Sequence, residues 1–191
     1  GFIGANLILS LLQTVKSVNI LTVDNINDYY DVSLKEWRLQ QIKSEANQHE
    51  ESKFEFIKGD ISDVRLVNQV FTDFKPNIVV NLAAQAGVRN SITNPDAYIK
   101  SNIIGFYNIL EACRHSYDNE NGVERLVFAS SSSIYGNGKE IPYKTSSNTD
   151  KPISLYAATK KSDEMLAHVY SHLFGIPITG LRFFTVYGPG G

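Results

Sequence analysis

Only one cysteine, Cys113, occurs in the 191 residues, so no disulfide framework can form within the chain. A reducing compartment, the cytoplasm, is therefore the expected setting. The apolar helical pattern around Cys113 marks it as a small core residue. An excess of charge of one sign is missing too: 18 Lys and Arg against 20 Asp and Glu give a net charge of −2. The basic residues form no long run, which speaks against a nucleic-acid partner. No apolar stretch approaches the roughly 18 to 20 residues of a membrane span, and no basic start precedes an apolar signal segment. The sequence opens inside a motif, so an anchor upstream of Gly1 stays open. Internal repeats and linkers resembling a domain boundary are absent as well. With 42% hydrophobic residues, the length suits one well-buried core and falls short of two complete domains.

Short apolar runs alternate with helical patterns along the whole chain. Residues Val18 to Val23, Phe54 to Lys58, Asn77 to Leu82, Arg125 to Ala129 and Ile178 to Phe184 are expected as strands. Helices are expected from the first few residues to Leu12, over Ser62 to Phe74, Tyr98 to Ser116 and Leu155 to Phe174. The polar stretch 118–122 should stop the third of these, and 137–154 should be a loop. Residues 33–53, including Arg38, are charged enough for a solvated helix and a surface loop, and are assigned no chemistry. The alternation predicts an α/β fold with a doubly wound parallel sheet and right-handed crossovers. Such sheets bind ligands at the carboxyl ends of their strands. Gly4, Asp24, Asp60, Ala84, Ser131 and Phe184 all fall at or just after those ends.

The chemistry is concentrated in Tyr156-Ala157-Ala158-Thr159-Lys160, where a phenol and an ammonium share one helical face. Turning a phenol of pKa near ~10 into a base at neutrality takes a shift of roughly 3 units, or about 4 kcal/mol. A positive charge ~4 Å away supplies about that much at an effective dielectric of ~20. Gly1 and Gly4 stand three apart at a helix start, where close backbone approach and the helix dipole favour a phosphate. Asp24 ends a strand about 20 residues later, where a dinucleotide fold places the acceptor for the adenosine ribose hydroxyls. It would repel a 2′-phosphate, which favours NAD over NADP. The small residues Ala83 and Ala84 after the third strand would let a flat ligand lie near the backbone. His168 and His172 have a spacing that could bind a metal, but no third ligand is evident, and they are assigned to the surface or to a subunit contact.

Taken in order, Gly1-x-x-Gly4, Asp24, Gly59-Asp60-Ile61, Leu82-Ala83-Ala84, the Ser131 segment, Tyr156-x-x-x-Lys160 and Arg182 to Pro189 resemble the extended short-chain dehydrogenases/reductases. Ala84 to Arg89, Ser154 to Lys161 and Arg182-Phe183-Phe184-Thr185 are similar to the UDP-glucuronate 4-epimerase branch of that family. The resemblance implies a Rossmann-type NAD-binding domain over 1–191, with its first strand and its carboxyl-terminal substrate region outside this sequence. It implies cofactor contacts from Gly1, Gly4, Asp24, Asn25, Asp60, Ile61, Leu82, Ala83, Ala84, Gln85, Asn102, Ala129, Tyr156, Lys160 and Phe184. It makes Ser131, Tyr156 and Lys160 catalytic, and sets Ser131, Ser132, Ser133 and Thr185 against the UDP-sugar. Tyr156 would deprotonate the 4-hydroxyl as C4 yields hydride to NAD, Lys160 would lower the tyrosine pKa, and the 4-keto sugar would turn before being reduced on its other face. Ser132-Ser133 replace the Asp-Glu pair of the related dehydratases, so water elimination by that route is not expected. No metal is implied, and a homodimer built on the helices 98–116 and 155–174 is. Two other readings compete: an epimerase of neutral UDP-hexoses such as UDP-glucose, and a catalytically silent NAD(H)-binding sensor.

Overall fold

The structure, a computed structural model, describes residues 1–118, 122–138 and 140–191. These residues divide into two compact units, 1–60 with 186–191 and 61–185.

In the first unit, helix α1 (Phe2–Thr14) leads into strand β1 (Asn19–Asp24), then helix α2 (Val32–Ala46) into strand β2 (Lys53–Lys58). The strands pair in parallel, with Asn19 opposite Lys53 and Asp24 opposite Lys58. Ala5, Ile8 and Leu12 recur at helical spacing on α1 and bury against Ile42 of α2, with Val18, Ile20 and Phe54 packed around them. Asp31 caps α2 by accepting from the Ser33 amide at 2.9 Å.

That helix departs from the solvated one expected. Lys35 and Arg38 are only 7% and 6% exposed. Arg38 donates to the Gly190 carbonyl from Nε at 2.9 Å and to the Tyr30 hydroxyl at 2.8 Å. Its guanidinium lies 5.9 Å from the Phe2 ring centroid and 5.4 Å from that of Tyr30. Sequence polarity misled because an arginine stem packs on rings while its planar head finds carbonyl and hydroxyl acceptors.

In the second unit, helix α3 (Val64–Phe74) precedes strand β3 (Ile78–Asn81). Two single-turn helices, α4 (Asn90–Thr93) and α5 (Pro95–Tyr98), run into a π-helical segment (Ile99–Gly105) and helix α6 (Phe106–Ser116). Strand β4 (Arg125–Ser131) ends in a 3-10 turn (Ser132–Tyr135), and helix α7 (Leu155–Phe174) connects to strand β5 (Ile178–Phe183). β4 is central, pairing in parallel with β3 on one side and β5 on the other. Val79 stands opposite Leu126, and Ser131 opposite Phe183.

The parallel α/β class is as expected. The described strands form two sheets, β1-β2 and β3-β4-β5, rather than the single sheet expected. The turn expected at 118–122 falls partly on 119–121, and the loop 137–154 includes 139; those four residues lie outside the described ones.

Cys113 is fully buried, and burial pushes its thiol up to about 12, as befits a core residue. Gly105 is pressed against Ile61, whose Cγ1 would stand 2.6 Å from an added Cβ. Gly175 closes α7 at φ +69°, a left-handed cap that favours glycine. No helix among the described residues is long and apolar enough to cross a membrane.

Candidate active site

Within the first unit, the structure brings the amino end of α1 to the carboxyl end of β1. The Gly1 nitrogen lies 3.1 Å from Asp24 Oδ2. The other carboxylate oxygen of Asp24 accepts from the Ile26 amide at 2.8 Å, which fixes the turn after β1. Asn25 Nδ2 donates to Asp60 Oδ2 at 3.4 Å, so the ends of β1 and β2 meet through two predicted site residues. Gly4 sits in the first turn of α1, where amide N–H groups point outward from the helix end. Lys35 was not foreseen here. Its Nζ donates to the Asn27 carbonyl and side-chain oxygen, both at 2.7 Å. Burial pushes Lys35 below its ordinary value, with the Asp24 charge acting in the opposite sense.

Within the second unit, the loop after β3 carries Leu82, Ala83, Ala84 and Gln85, and Asn102 holds it. The Asn102 side chain is 1% exposed and accepts from the Gln85 amide at 2.8 Å. It donates to the Gln85 carbonyl at 3.1 Å and to Thr159 Oγ1 of α7 at 2.9 Å. Both amide hydrogens are thus engaged within the chain, so Asn102 positions the loop that carries Gln85. The irregular turn that aims Asn102 inward is the π-helical segment, an insertion frequent at functional sites. Gln85 Nε2 is itself buried, with no hydrogen-bond partner among the described residues. Tyr98 supports the same loop, its hydroxyl lying 2.7 Å from the Ala86 carbonyl and 2.6 Å from that of Gly87.

Helix α7 begins where Ser154 accepts from the Ala157 amide at 3.1 Å, and this cap sets the phase of the face carrying Tyr156 and Lys160. The Tyr156 ring meets Tyr98 edge-on, centroids 6.1 Å apart. Lys160 is 3% exposed, and its Nζ donates to Asp163 Oδ2 at 3.0 Å. Asp163 was not singled out from the sequence, although an acid three residues after Lys160 on the same helix was there to be seen.

Ala129 lies in β4, which reaches two residues further than expected and ends on Ser131. The Ser131 hydroxyl caps the 3-10 turn, accepting from the Ser133 amide at 3.2 Å and lying 3.1 Å from Ser133 Oγ. Ser130 faces the other way and donates to Glu164 Oε1 at 2.6 Å. Arg182 grips Glu164 with two hydrogen bonds of 2.9 Å and reaches Tyr135 Oη at 3.1 Å, a network the sequence did not reveal. Burial acts to raise Glu164, but its hydrogen bonds with Arg182 and Ser130 outweigh this and hold it below the usual range. Phe184 follows β5, its ring 6.3 Å from Tyr135 and 6.1 Å from Tyr143, and Thr185 beside it is exposed. Ile61 is buried at the start of the unit, its carbonyl accepting from Asn108 at 2.9 Å.

His168 and His172 are exposed on α7 with stacked rings 6.4 Å apart, and no group of three potential metal ligands occurs among the described residues.

Comparison with known proteins places these features in a family. The chain is 52% identical over 191 residues to Protein CapI of Staphylococcus aureus, covering 100% of this chain and 53% of that protein. It is 44% identical over 191 residues to UDP-glucuronate 4-epimerase 2 of Arabidopsis thaliana, covering 100% of this chain and 41% of that one. The crystal structure of UDP-glucuronic acid 4-epimerase from Bacillus cereus, in complex with UDP-glucuronic acid and NAD, matches with a TM-score of 0.84 at 33% identity. That match covers 99% of this chain and 55% of the other. The chain thus spans about half the length of the curated relatives it matches. Since the family described as GDP-mannose 4,6 dehydratase matches residues 1–191, the chain belongs to that family of extended short-chain dehydrogenases/reductases.

Proposed function

We propose that this chain is the dinucleotide-binding domain of a cytoplasmic NAD-dependent epimerase that interconverts UDP-glucuronate and UDP-galacturonate at C4. The observation that carries the reading is the face of α7 on which Tyr156 stands one turn from a buried Lys160, packed on β4 and the Ser131 turn. The residues present fit NAD. The amino end of α1 suits a pyrophosphate, the Asp24 carboxylate suits ribose hydroxyls, and Gln85 Nε2 is a buried donor still without a partner among the described residues. When bound, NAD would supply the hydride-transfer chemistry at C4.

Everything else falls to the chain. Tyr156 Oη takes the proton of the 4-hydroxyl and gives it back, a role that needs the phenolate held near neutrality. Lys160 supplies the positive charge that favours that phenolate. Ser131 shares its hydroxyl proton with the sugar oxygen, Ser132 and Ser133 offer further short hydroxyls beside it, and Thr185 donates to the substrate carboxylate. The similarity to UDP-glucuronate 4-epimerases supports the acid sugar, and Tyr156 together with Lys160 supports an enzyme over a silent sensor.

A second copy of the chain is the proposed partner. Met165, Val169 and Leu173 form an apolar stripe on α7 that is 60%, 46% and 63% exposed, a face suited to a two-fold contact.

Full-length protein incubated separately with UDP-glucuronate and UDP-glucose, with the product sugars identified, tests the substrate. UDP-galacturonate is the expected product, and epimerisation of UDP-glucose alone would move the assignment to neutral hexoses. Tyr156→Phe should abolish turnover while NAD binding persists in calorimetry; a variant with wild-type turnover would remove Tyr156 as the base.

A further inference from the structure

The tyrosine–lysine pair on α7 has a third member. Tyr156, Lys160 and Asp163 recur at i, i+4 and i+7, so all three lie along one face of the helix. Lys160 and Asp163 are 3% and 1% exposed, and the 3.0 Å contact between Nζ and Oδ2 joins them. Asp163 Oδ1 is buried with no hydrogen-bond partner among the described residues, so the lysine is the neighbour that holds this carboxylate. An uncompensated acid in such a place costs several kcal/mol in general, and proteins keep one there only when a partner or a task requires it.

We propose that Asp163 is a positioning residue for Lys160, an acid whose charge sets how much of the lysine's positive potential reaches Tyr156. An ionised Asp163 makes a nearly neutral pair with Lys160, and the phenol beside it feels a reduced field. A protonated Asp163 leaves the lysine charge whole. The inference rests on the proposed role of Tyr156 as base.

The surroundings allow the acid to act in this way. Burial pushes Asp163 up to about 6, while Lys160 acts in the opposite sense by charge and hydrogen bond, and the charge of Glu164 adds to the rise. Glu164 is taken up by Arg182 and Ser130. The elements packed against α7 carry further titratable groups: Asp96, Tyr98 and Lys100 on α5 and the π-helical segment; Tyr107, Glu111, Cys113, Arg114 and His115 on α6; Arg125 on β4; Tyr135 on the 3-10 turn; and Arg182 on β5. Of these, Glu111 is held by Tyr170 and Arg114, and Tyr135 by Arg182. Lys160 is the cation in hydrogen-bond contact with Asp163.

The size of the effect follows from the helix. Seven residues rise ~10 Å. At that distance, with an effective dielectric of ~20, removing one negative charge lowers the titration midpoint of the phenol by about one pH unit.

The test is a tyrosinate absorbance titration near 295 nm of full-length wild type, Asp163→Asn, Asp163→Ser and Tyr156→Phe, each first checked for a cooperative thermal transition. The component lost in Tyr156→Phe reports Tyr156. Its midpoint should fall by about one pH unit in Asp163→Asn, with the serine variant behaving alike and standing in should the asparagine variant not fold. The acid limb of kcat/KM should move down with it. An unchanged or higher midpoint in a folded variant overturns the inference, because a purely structural acid would not move it. A wild-type titration indistinguishable from that of Tyr156→Phe fails differently: it removes the activated phenol, and the inference with it.

Discussion

Replacing Asn102 with alanine is the most direct way to ask whether the loop after β3 is held as the structure implies. The wild-type side chain makes three hydrogen bonds, of 2.8 Å from the Gln85 amide, 3.1 Å to the Gln85 carbonyl and 2.9 Å to Thr159 Oγ1. All three are buried, so the alanine variant leaves a backbone donor, a backbone acceptor and a hydroxyl inside the unit. A buried group without its partner costs about 1–3 kcal/mol, and the hydroxyl can turn elsewhere, so the two backbone groups dominate at roughly 3 kcal/mol together. For a domain of 150–250 residues, where 1 kcal/mol is worth ~2–4 °C, this is a fall in Tm of about 6–12 °C. The assay is thermal unfolding of the full-length protein, with hydrogen exchange at the Gln85 amide as the local reading. Exchange there should speed up more than at amides in the middle of β4. A Tm within ~2 °C of wild type with unchanged Gln85 exchange would refute the clamp, and a direct contact to cofactor would then be the better account of Asn102.

Glu164→Gln should weaken the grip on Arg182 and lower stability by about 2–3 kcal/mol, since the pair is only 17–20% exposed; a melt within 1 °C of wild type would show the network to be idle. Thr185→Val should slow UDP-glucuronate turnover roughly ten- to a hundredfold while sparing neutral sugars, the value of one hydrogen bond to a carboxylate, and product analysis with both sugars checks it. Asp163 gives a pH signature of unusual sign. Its folded pKa of about 6 lies above the ordinary 3.8, so its contribution to stability is fully present below pH 3.8 and is lost as pH rises through about 6. Relative to Asp163→Asn, wild type should therefore lose stability between about pH 4 and pH 6, and denaturant melts at the two ends that differed equally would contradict this.

The sequence by itself determined the local elements and the residue types at their ends. Helix α7 runs from Leu155 to Phe174 as its apolar spacing and the Ser154 cap dictate, and the five strands lie within a residue or two of their apolar runs. These are short-range consequences of periodicity and capping, which need no knowledge of the rest of the chain. The same locality made Tyr156 and Lys160 legible, since four residues of helix place them together whatever the surroundings. Only the tertiary structure decided which polar groups are buried and what they face. Arg38 looked solvated because its neighbours in sequence are charged, yet the carbonyl of Gly190 and the ring of Tyr30 come to it from elsewhere in the chain. Asn102 is held by Gln85 and Thr159, which arrive from 17 and 57 residues away to take its amide. The Ser130–Glu164–Arg182 network likewise joins β4, α7 and β5, whose proximity no local pattern encodes. Hydrogen-bond partners distant in sequence are set by how the elements stack, and that information is shared among all of them and written in none.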